Sequence, residues 1–83
     1  MKEQFEQAIA NSKNLAERPD NETLLKLYSL YKQATEGDNT TDTPTNPFDF
    51  VAKAKHNAWT ELNGTTKETA MQTYIDLVNR LKG

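Results

Sequence analysis

The chain has 83 residues, the size of one small domain, and we expect residues 1–83 to form a single unit. It contains no cysteine and only one histidine, His56, which excludes disulfide bonds and cysteine-ligated zinc. Ten basic and twelve acidic residues give a formal net charge of −2, which argues against a nucleic-acid-binding protein, since such proteins carry a basic excess.

The N-terminal segment begins the first predicted helix. Its opening residues contain no apolar stretch of the kind that a secretory signal needs, and no later run approaches the ~20 apolar residues of a membrane span. We therefore expect a soluble, cytoplasmic protein. Apolar residues then recur with a helical period, and because Arg18 precedes Pro19, helix 1 is predicted to end near Ala16.

The second predicted helix is the most regular segment. Asp20 or Asn21 can cap it, residues 22–36 contain no glycine or proline, and Gly37 can supply the turn that ends it. Residues 38–47 are all polar or proline and form the one long connection. A connection of this length is either an ordered functional loop or a floppy one, and both alternatives stay open.

Two further helices are predicted in the second half of the chain. Helix 3 is predicted to start between Asn46 and Phe50, and Asn46 with Pro47 at the first helical position would be favourable. Its apolar positions are Val51, Ala54, Ala58, Trp59 and Leu62. Helix 4 begins at Thr65, which has capping-box spacing to Glu68. No segment alternates like a strand, so the prediction is an all-α, four-helix bundle with one long connection.

Three features do not fit a purely structural role. Tyr28, Tyr31 and Lys32 are neighbours on one helix surface, where tyrosine rings can stack on a base and lysine can pair with phosphate. Lys55 shares a side of helix 3 with apolar residues, and Tyr74 lies in the middle of the apolar face of helix 4. The alternative is that all three features are structural. The tyrosines would then lie at the edge of the core, the lysines would extend to water, and a backbone carbonyl would accept from the Tyr74 hydroxyl.

Taken together, these features indicate a ligand with an aromatic ring, phosphates and a hydrocarbon tail. Two or three aromatic rings, two lysines and a surplus of apolar helix surface would each meet one of its parts. Nucleotide thioesters of fatty acids combine all three.

Several sequence motifs resemble those of the acyl-CoA-binding protein family, and the likeness covers nearly the whole chain. They are residues 28–38 (YSLYKQATEGD), 53–55 (KAK), 58–59 (AW), 66–68 (TKE), 70–71 (AM) and 74–75 (YI). The resemblance implies an up-down-down-up bundle. It also implies an intracellular carrier of medium- to long-chain acyl-CoA that delivers its ligand to acyl-CoA-using enzymes and membrane surfaces. A monomer is the default expectation for a carrier of this size, and we expect no cofactor or metal.

The same resemblance implies roles for individual residues. Tyr28, Tyr31 and Lys32 would contact the adenine and ribose-phosphate. Lys55 would be a second cation facing the phosphates, Tyr74 would meet the nucleotide end, and Lys13 would add a lesser contact. Leu24, Leu25 and Ile9 would cover the acyl chain.

The chain departs from the family pattern in three places. His56 stands where many members carry a second tryptophan, Val51 where many carry lysine, and the loop is one residue longer and includes Pro47. These differences bear on phosphate binding and on acyl-chain cover.

Two other classes of function compete with a carrier. A hydrolase would need a nucleophile, a base and an orienting group. The only serines are Ser12 and Ser29, and His56 is expected on a polar helix face, so we predict that the protein is not an enzyme. A helical protein-interaction module with an apolar groove would use the same aromatic residues and remains the alternative.

Overall fold

Four α-helices and no strand make up the computed structural model, which describes all of residues 1–83. Helix α1 spans Lys2–Ser12, α2 Asn21–Glu36, α3 Phe50–Thr60 and α4 Lys67–Lys82. The predicted all-α, four-helix architecture is confirmed. None of the helices has the length and hydropathy that crossing a bilayer requires.

The helix directions follow from contacts near the helix ends. Helix α2 packs against α3 and α4, and α1 packs against α4. Trp59 near the end of α3 donates from Nε1 to the carbonyl of Gly37 at the end of α2, over 2.9 Å, so these two helices run parallel. Lys2 and Lys67, in the first turns of α1 and α4, line one cavity, so that pair also runs parallel. With short α1–α2 and α3–α4 connections, the order is the up-down-down-up arrangement that the resemblance implies.

The core lies between α1, α2 and α4. Its buried residues are Phe5, Ala8, Leu27, Leu30, Ala34, Ala70, Tyr74 and Val78. Helix α3 packs only on α2 and buries a single residue, Trp59, whereas Val51, predicted as one of its apolar core positions, is 64% exposed. The side position of α3 leaves an open groove between its first turns and those of α2.

Helix α1 ends earlier than predicted. It stops at Ser12, four residues before Ala16. The Ser12 hydroxyl donates to the Ile9 carbonyl, and the Asn14 side-chain amide donates to the Ala10 carbonyl. These short polar side chains take up the last carbonyls of the helix, which favours its termination.

Helix α3 starts at Phe50, at the end of the predicted range, and α4 starts one cap later than predicted. Asp49, not Asn46, caps α3 by accepting from the Ala52 amide at 3.0 Å. Thr66, not Thr65, caps α4 by accepting from the Thr69 amide at 3.1 Å. For α2, Asp20 is the cap of the two that were considered, and its side chain accepts from the Thr23 amide at 2.8 Å.

The long connection is fixed to the bundle by side-chain hydrogen bonds. Asp38 accepts from the side chain of Gln33 at 2.9 Å and from the backbone amide of Gly64 at 2.8 Å. The bond from Gly64 is the larger of the two causes that hold the pKa of Asp38 below its ordinary value of 3.8. Asn39 is buried, and its backbone amide donates to the Asn63 side chain at 2.8 Å. Of the two alternatives, the structure therefore supports an ordered loop.

Candidate ligand-binding site

Three cavities adjoin one another at Tyr28, near the middle of α2. The first, between α1, α2 and α4, is here called the ring cavity. The second, between α2, α3 and the long loop, is the cation cleft. The third, between the first halves of α2 and α3, is the apolar groove. Tyr28 lines all three, and Lys55 lines the last two.

The ring cavity has a volume of about 340 Å³ and is walled mainly by tyrosine rings and aliphatic side chains. Its lining residues are Ile9, Ser12, Lys13, Leu27, Tyr28, Tyr31 and Tyr74. Lys13 follows directly after α1 and supplies the one cation of this wall. An aromatic ring bound here would meet apolar faces, with an ammonium group at its edge for an attached anion.

Tyr74 is held from two sides. Its ring is only 4% exposed and meets the Phe5 ring edge-on, with 5.2 Å between ring centroids. Its hydroxyl donates to Ser12 Oγ over 3.1 Å, and Ser12 in turn donates to the Ile9 carbonyl over 2.7 Å. The partner of this buried hydroxyl is thus a side chain rather than the expected backbone carbonyl. The chain of hydrogen bonds fixes α4 to the end of α1.

Tyr31 stands at the outer edge of the ring cavity. It stacks on Phe5 with 6.3 Å between ring centroids and an angle of 24° between the ring planes. The residue nevertheless remains 41% exposed. A planar group can therefore still gain contact with Tyr31 without disturbing the core.

The cation cleft, also about 340 Å³, places two lysines over two aromatic rings. Lys55 Nζ lies 5.2 Å from the centroid of the Tyr28 ring, and Lys32 Nζ lies 4.9 Å from that of Trp59. Both distances are within the range for attraction between a cation and the face of a ring. The rings orient the two ammonium groups toward one cleft, where they can meet an anion together.

Lys32 also forms an ion pair with Glu36, one turn later on α2. That hydrogen bond is the main cause that raises the pKa of Lys32 above its ordinary value of 10.5. The ammonium group therefore stays charged at every physiological pH. A bound phosphate would compete with Glu36 for it, and both groups sit at the surface, where such pairs are worth little.

His56, predicted on a polar helix face, lines a cavity whose residues are mostly polar. It is half-buried between α3 and the long loop, with Nε2 3.2 Å from the Thr41 carbonyl. That contact makes Nε2 the protonated nitrogen, because a carbonyl only accepts. The other nitrogen, Nδ1, is buried and has no hydrogen-bond partner. His56 lines the cation cleft and not the apolar groove, so its difference from the family pattern bears on the loop and the anion end of the site.

The apolar groove is the largest of the cavities, with a volume of about 620 Å³. Its lining residues are Arg18, Asn21, Leu24, Leu25, Tyr28, Phe50, Val51, Ala54 and Lys55. Two cations and no carboxylate belong to this set. Leu24 and Leu25, to which the resemblance assigns cover of a hydrocarbon chain, both line this groove.

All nine residues that received a ligand role from the sequence line these cavities, although one lies in a different cavity from the one implied. Tyr28, Tyr31, Tyr74, Lys13 and Ile9 meet in the ring cavity, Lys32 and Lys55 in the cation cleft, and Leu24 and Leu25 in the apolar groove. Ile9 therefore does not accompany Leu24 and Leu25.

Arg18 and Phe50 also line the apolar groove, although neither was predicted as a site residue. For Phe50 a signal was present, since it shares a helix side with Ala54 at a spacing of four residues. For Arg18 there was none, because its position depends on how the α1–α2 connection folds.

The chain is similar to several known proteins. A family model described as acyl CoA binding protein matches residues 2–78. Acyl-CoA-binding protein homolog 1 of Caenorhabditis elegans is 49% identical over 77 residues, covering 93% of this chain and 88% of that protein. The crystal structure of Oryza sativa acyl-CoA-binding protein 2 aligns with a TM-score of 0.90 at 41% identity, over 96% of this chain and 88% of that one.

A longer protein contains a similar segment. Enoyl-CoA delta isomerase 2 of Rattus norvegicus is 53% identical over 77 residues, which are 93% of this chain. The match spans only 19% of the isomerase.

Proposed function

We propose, because the chain belongs to the acyl-CoA-binding protein family, that it binds fatty acyl-CoA thioesters non-covalently and carries them between the places of their synthesis and use. The observation that best supports this proposal is the meeting of three cavities of different chemistry at Tyr28. An acyl-CoA has an aromatic base, a set of phosphates and a hydrocarbon chain. The order of the cavities offers each of these parts a matching surface.

In this proposal the polar end of the ligand occupies the ring cavity and the cation cleft. Tyr28 and Tyr31 stack on the adenine. Lys32 and Lys55 pair with phosphate oxygens, and Lys13 adds a third cation at the far edge. Tyr74 contributes mainly by shaping the wall, since it is buried and its hydroxyl is already engaged with Ser12.

The acyl chain occupies the apolar groove. A chain of sixteen carbons has about fifteen methylenes, each worth ~0.8 kcal/mol when fully buried, so full burial would give a gross gain of roughly 12 kcal/mol. Lost freedom of the ligand and of side chains offsets several kcal/mol of this gain. Charge-assisted bonds contribute about 1.5–3 kcal/mol each. The tail therefore sets the magnitude of affinity, and the head group decides which lipid is accepted.

We further propose that residues 1–83 act as one acyl-CoA-binding unit, monomeric and cytoplasmic, that needs no cofactor and releases its ligand unchanged to enzymes or membranes. The placement of the reactive side chains supports release without hydrolysis. Ser12 lies in the ring cavity, where its hydroxyl donates to the Ile9 carbonyl. His56, the one histidine, lines the cation cleft and contacts a backbone carbonyl. No nucleophile and base are paired.

Titration calorimetry with palmitoyl-CoA tests the binding proposal, with free coenzyme A and palmitate as controls. We expect tight binding of the thioester and much weaker binding of either part. Equal affinity for palmitate and palmitoyl-CoA would exclude recognition of the head group. No heat from the thioester, together with a peptide retained in native mass spectra of the purified protein, would favour the protein-interaction module instead.

A further inference from the structure

One residue of the cation cleft can change its charge near neutral pH. The cleft is lined by two cations, Lys32 and Lys55, by the carboxylate of Asp42 and by His56. Lysine and aspartate ordinarily titrate far from neutrality, whereas histidine is the side chain that ordinarily changes charge between pH 5 and 8. The net charge that this cleft offers to an anion therefore depends on the protonation of His56.

Hydrogen bonds between the long loop and α3 hold His56 in the wall of the cleft. Its Nε2 donates to the Thr41 carbonyl over 3.2 Å. The Thr41 amide donates to Asn39 Oδ1 over 2.9 Å, and Asn39 Nδ2 donates over 3.0 Å to the hydroxyl of Thr60, one turn after His56 on α3. Asn39 itself is buried. The ring is thus fixed between two elements, and it lines the same cleft as the two lysines.

The charged form of the ring is compatible with these contacts. Nε2 carries a proton in both the neutral and the charged imidazole when it donates to a carbonyl, so the contact with Thr41 is kept. The second proton goes to Nδ1, which accepts no hydrogen bond from any other group of the protein. No existing hydrogen bond has to break before the ring becomes positive.

The charges around His56 decide when its ring becomes positive. Lys32 from α2 and Lys55 from α3 repel a third positive charge, and Asp42 from the loop attracts it. A phosphate bound between the two lysines adds negative charge to the same cleft. The imidazolium is then favoured, because a nearby opposite charge stabilises the charged form of a titratable group.

We propose that His56 is a third cationic contact for the ligand phosphates and takes up a proton as the ligand binds. The proposal rests on the proposed function, since it concerns the phosphates of acyl-CoA in the cation cleft. Linkage between the two events is reciprocal, so the ligand favours the proton by the same factor by which the proton raises affinity for the ligand. Affinity for acyl-CoA should therefore rise as pH falls from about 8 to about 5.5.

Titration calorimetry with palmitoyl-CoA at pH ~8 and pH ~5.5 tests this inference by comparing the wild type with His56→Gln. Glutamine can donate to the Thr41 carbonyl through its amide but does not titrate. A phosphate monoester of the ligand itself titrates near pH ~6, so the two proteins are compared at the same pH. We expect equal affinities at pH ~8. At pH ~5.5 the wild type should bind about fivefold or more tightly, the lower end of the usual coupling between linked sites.

The wild-type protein offers a second measurement, because His56 is its only histidine. The imidazole proton signals can therefore be followed by NMR as the pH is changed, without ambiguity of assignment. Saturating free coenzyme A should raise the midpoint of this titration by about 0.7 pH unit, the equivalent of a fivefold coupling. This measurement does not depend on how well a variant folds.

Two further variants serve as controls. His56→Lys carries a charge at the same position at both pH values, and should bind palmitoyl-CoA more tightly than the wild type at pH ~8. The double variant His56→Gln/Asn57→His moves the histidine to an exposed position that lines none of the three cavities. It should bind like His56→Gln at both pH values.

Three results would overturn the inference. They are equal affinity of the wild type and His56→Gln at pH ~5.5, a titration midpoint that free coenzyme A leaves unchanged or lowers, and a double variant that binds like the wild type at pH ~5.5. Each of them leaves acyl-CoA binding itself in place. Failure of the wild type to bind palmitoyl-CoA at either pH would instead contradict the proposed function, and this inference with it.

Discussion

The hydroxyl of Tyr74 donates a hydrogen bond to Ser12 Oγ over 3.1 Å and so ties the middle of α4 to the last residue of α1. Sixty-two positions separate the two residues in the chain. Both line the ring cavity, so the same contact closes the bundle and shapes the proposed adenine end of the site.

Removing this hydrogen bond should destabilise the protein modestly. Tyr74→Phe and Ser12→Ala should each lower the free energy of unfolding by about 1 kcal/mol, the usual net worth of one intramolecular hydrogen bond. The double variant should lose less than the sum of the two, because both substitutions remove the same bond. Urea denaturation of the four proteins measures the coupling, and strict additivity would show that the bond contributes nothing.

The two lysines of the cation cleft should control affinity without controlling stability. Lys32→Ala and Lys55→Ala should each weaken palmitoyl-CoA binding about tenfold or more, the equivalent of at least ~1.4 kcal/mol. Lys26→Ala on α2 and Lys53→Ala on α3 are matched controls, since neither residue lines the three cavities. Calorimetry that finds no difference between the site and control variants would remove both lysines from the site.

Tyr28→Ala should weaken palmitoyl-CoA binding more than either lysine substitution, because Tyr28 borders all three cavities. Stacking alone is worth about 1–3 kcal/mol for each base on an aromatic ring. Circular dichroism must accompany the calorimetry, since the residue is half-buried. A variant with lowered stability and full affinity would assign Tyr28 to the core alone.

Leu25→Ala should distinguish the contribution of the acyl chain to affinity from that of the head group. It removes apolar contact from the groove, where each buried methylene is worth ~0.8 kcal/mol, and affinity for palmitoyl-CoA should fall about tenfold. Affinity for free coenzyme A should be unchanged. Leu77→Ala on α4 is the control, because Leu77 packs on the core outside the groove. Equal losses for coenzyme A and for the thioester would place Leu25 outside the acyl site.

The loss of protein stability at acidic pH should depend on Asp38. Its pKa is lower in the folded protein, so its hydrogen bonds from Gly64 and Gln33 stabilise the fold above pH ~3.8, and this contribution is lost as pH falls further. Asp38→Asn should therefore flatten the decline in melting temperature at acidic pH. Asp42→Asn, in the same loop but without a side-chain hydrogen bond, should retain the wild-type decline. Parallel curves for the wild type and Asp38→Asn would contradict this account.

Local periodicity predicted the number of helices and the ligand-facing surface of α2, whereas Lys13, Leu25 and Ile9 were assigned from the family resemblance. Tyr28, Tyr31 and Lys32 are neighbours on any helix, so their shared surface needed no tertiary information. The helix starts were harder to predict from the sequence, because neighbouring residues with similar chemistry compete as caps: Asn46 with Asp49, and Thr65 with Thr66. Local sequence does not decide between such neighbours.

What the sequence could not predict depends on how α3 is placed. The apolar spacing of Val51 with Ala54 and Ala58 is typical of a core-facing stripe, yet Val51 is exposed because α3 packs on α2 alone. The same placement creates the apolar groove. The contact between His56 and Thr41 was likewise not predictable, since it depends on how the long loop folds against α3.

Amide shift mapping by NMR tests the central claim, that one ligand spans the three cavities around Tyr28. Free coenzyme A should shift the amides near Lys13, Tyr31 and Lys55, and palmitoyl-CoA should add shifts near Leu25 and Ala54. The same shifts for both ligands, or shifts confined to the opposite face of α4, would contradict the account.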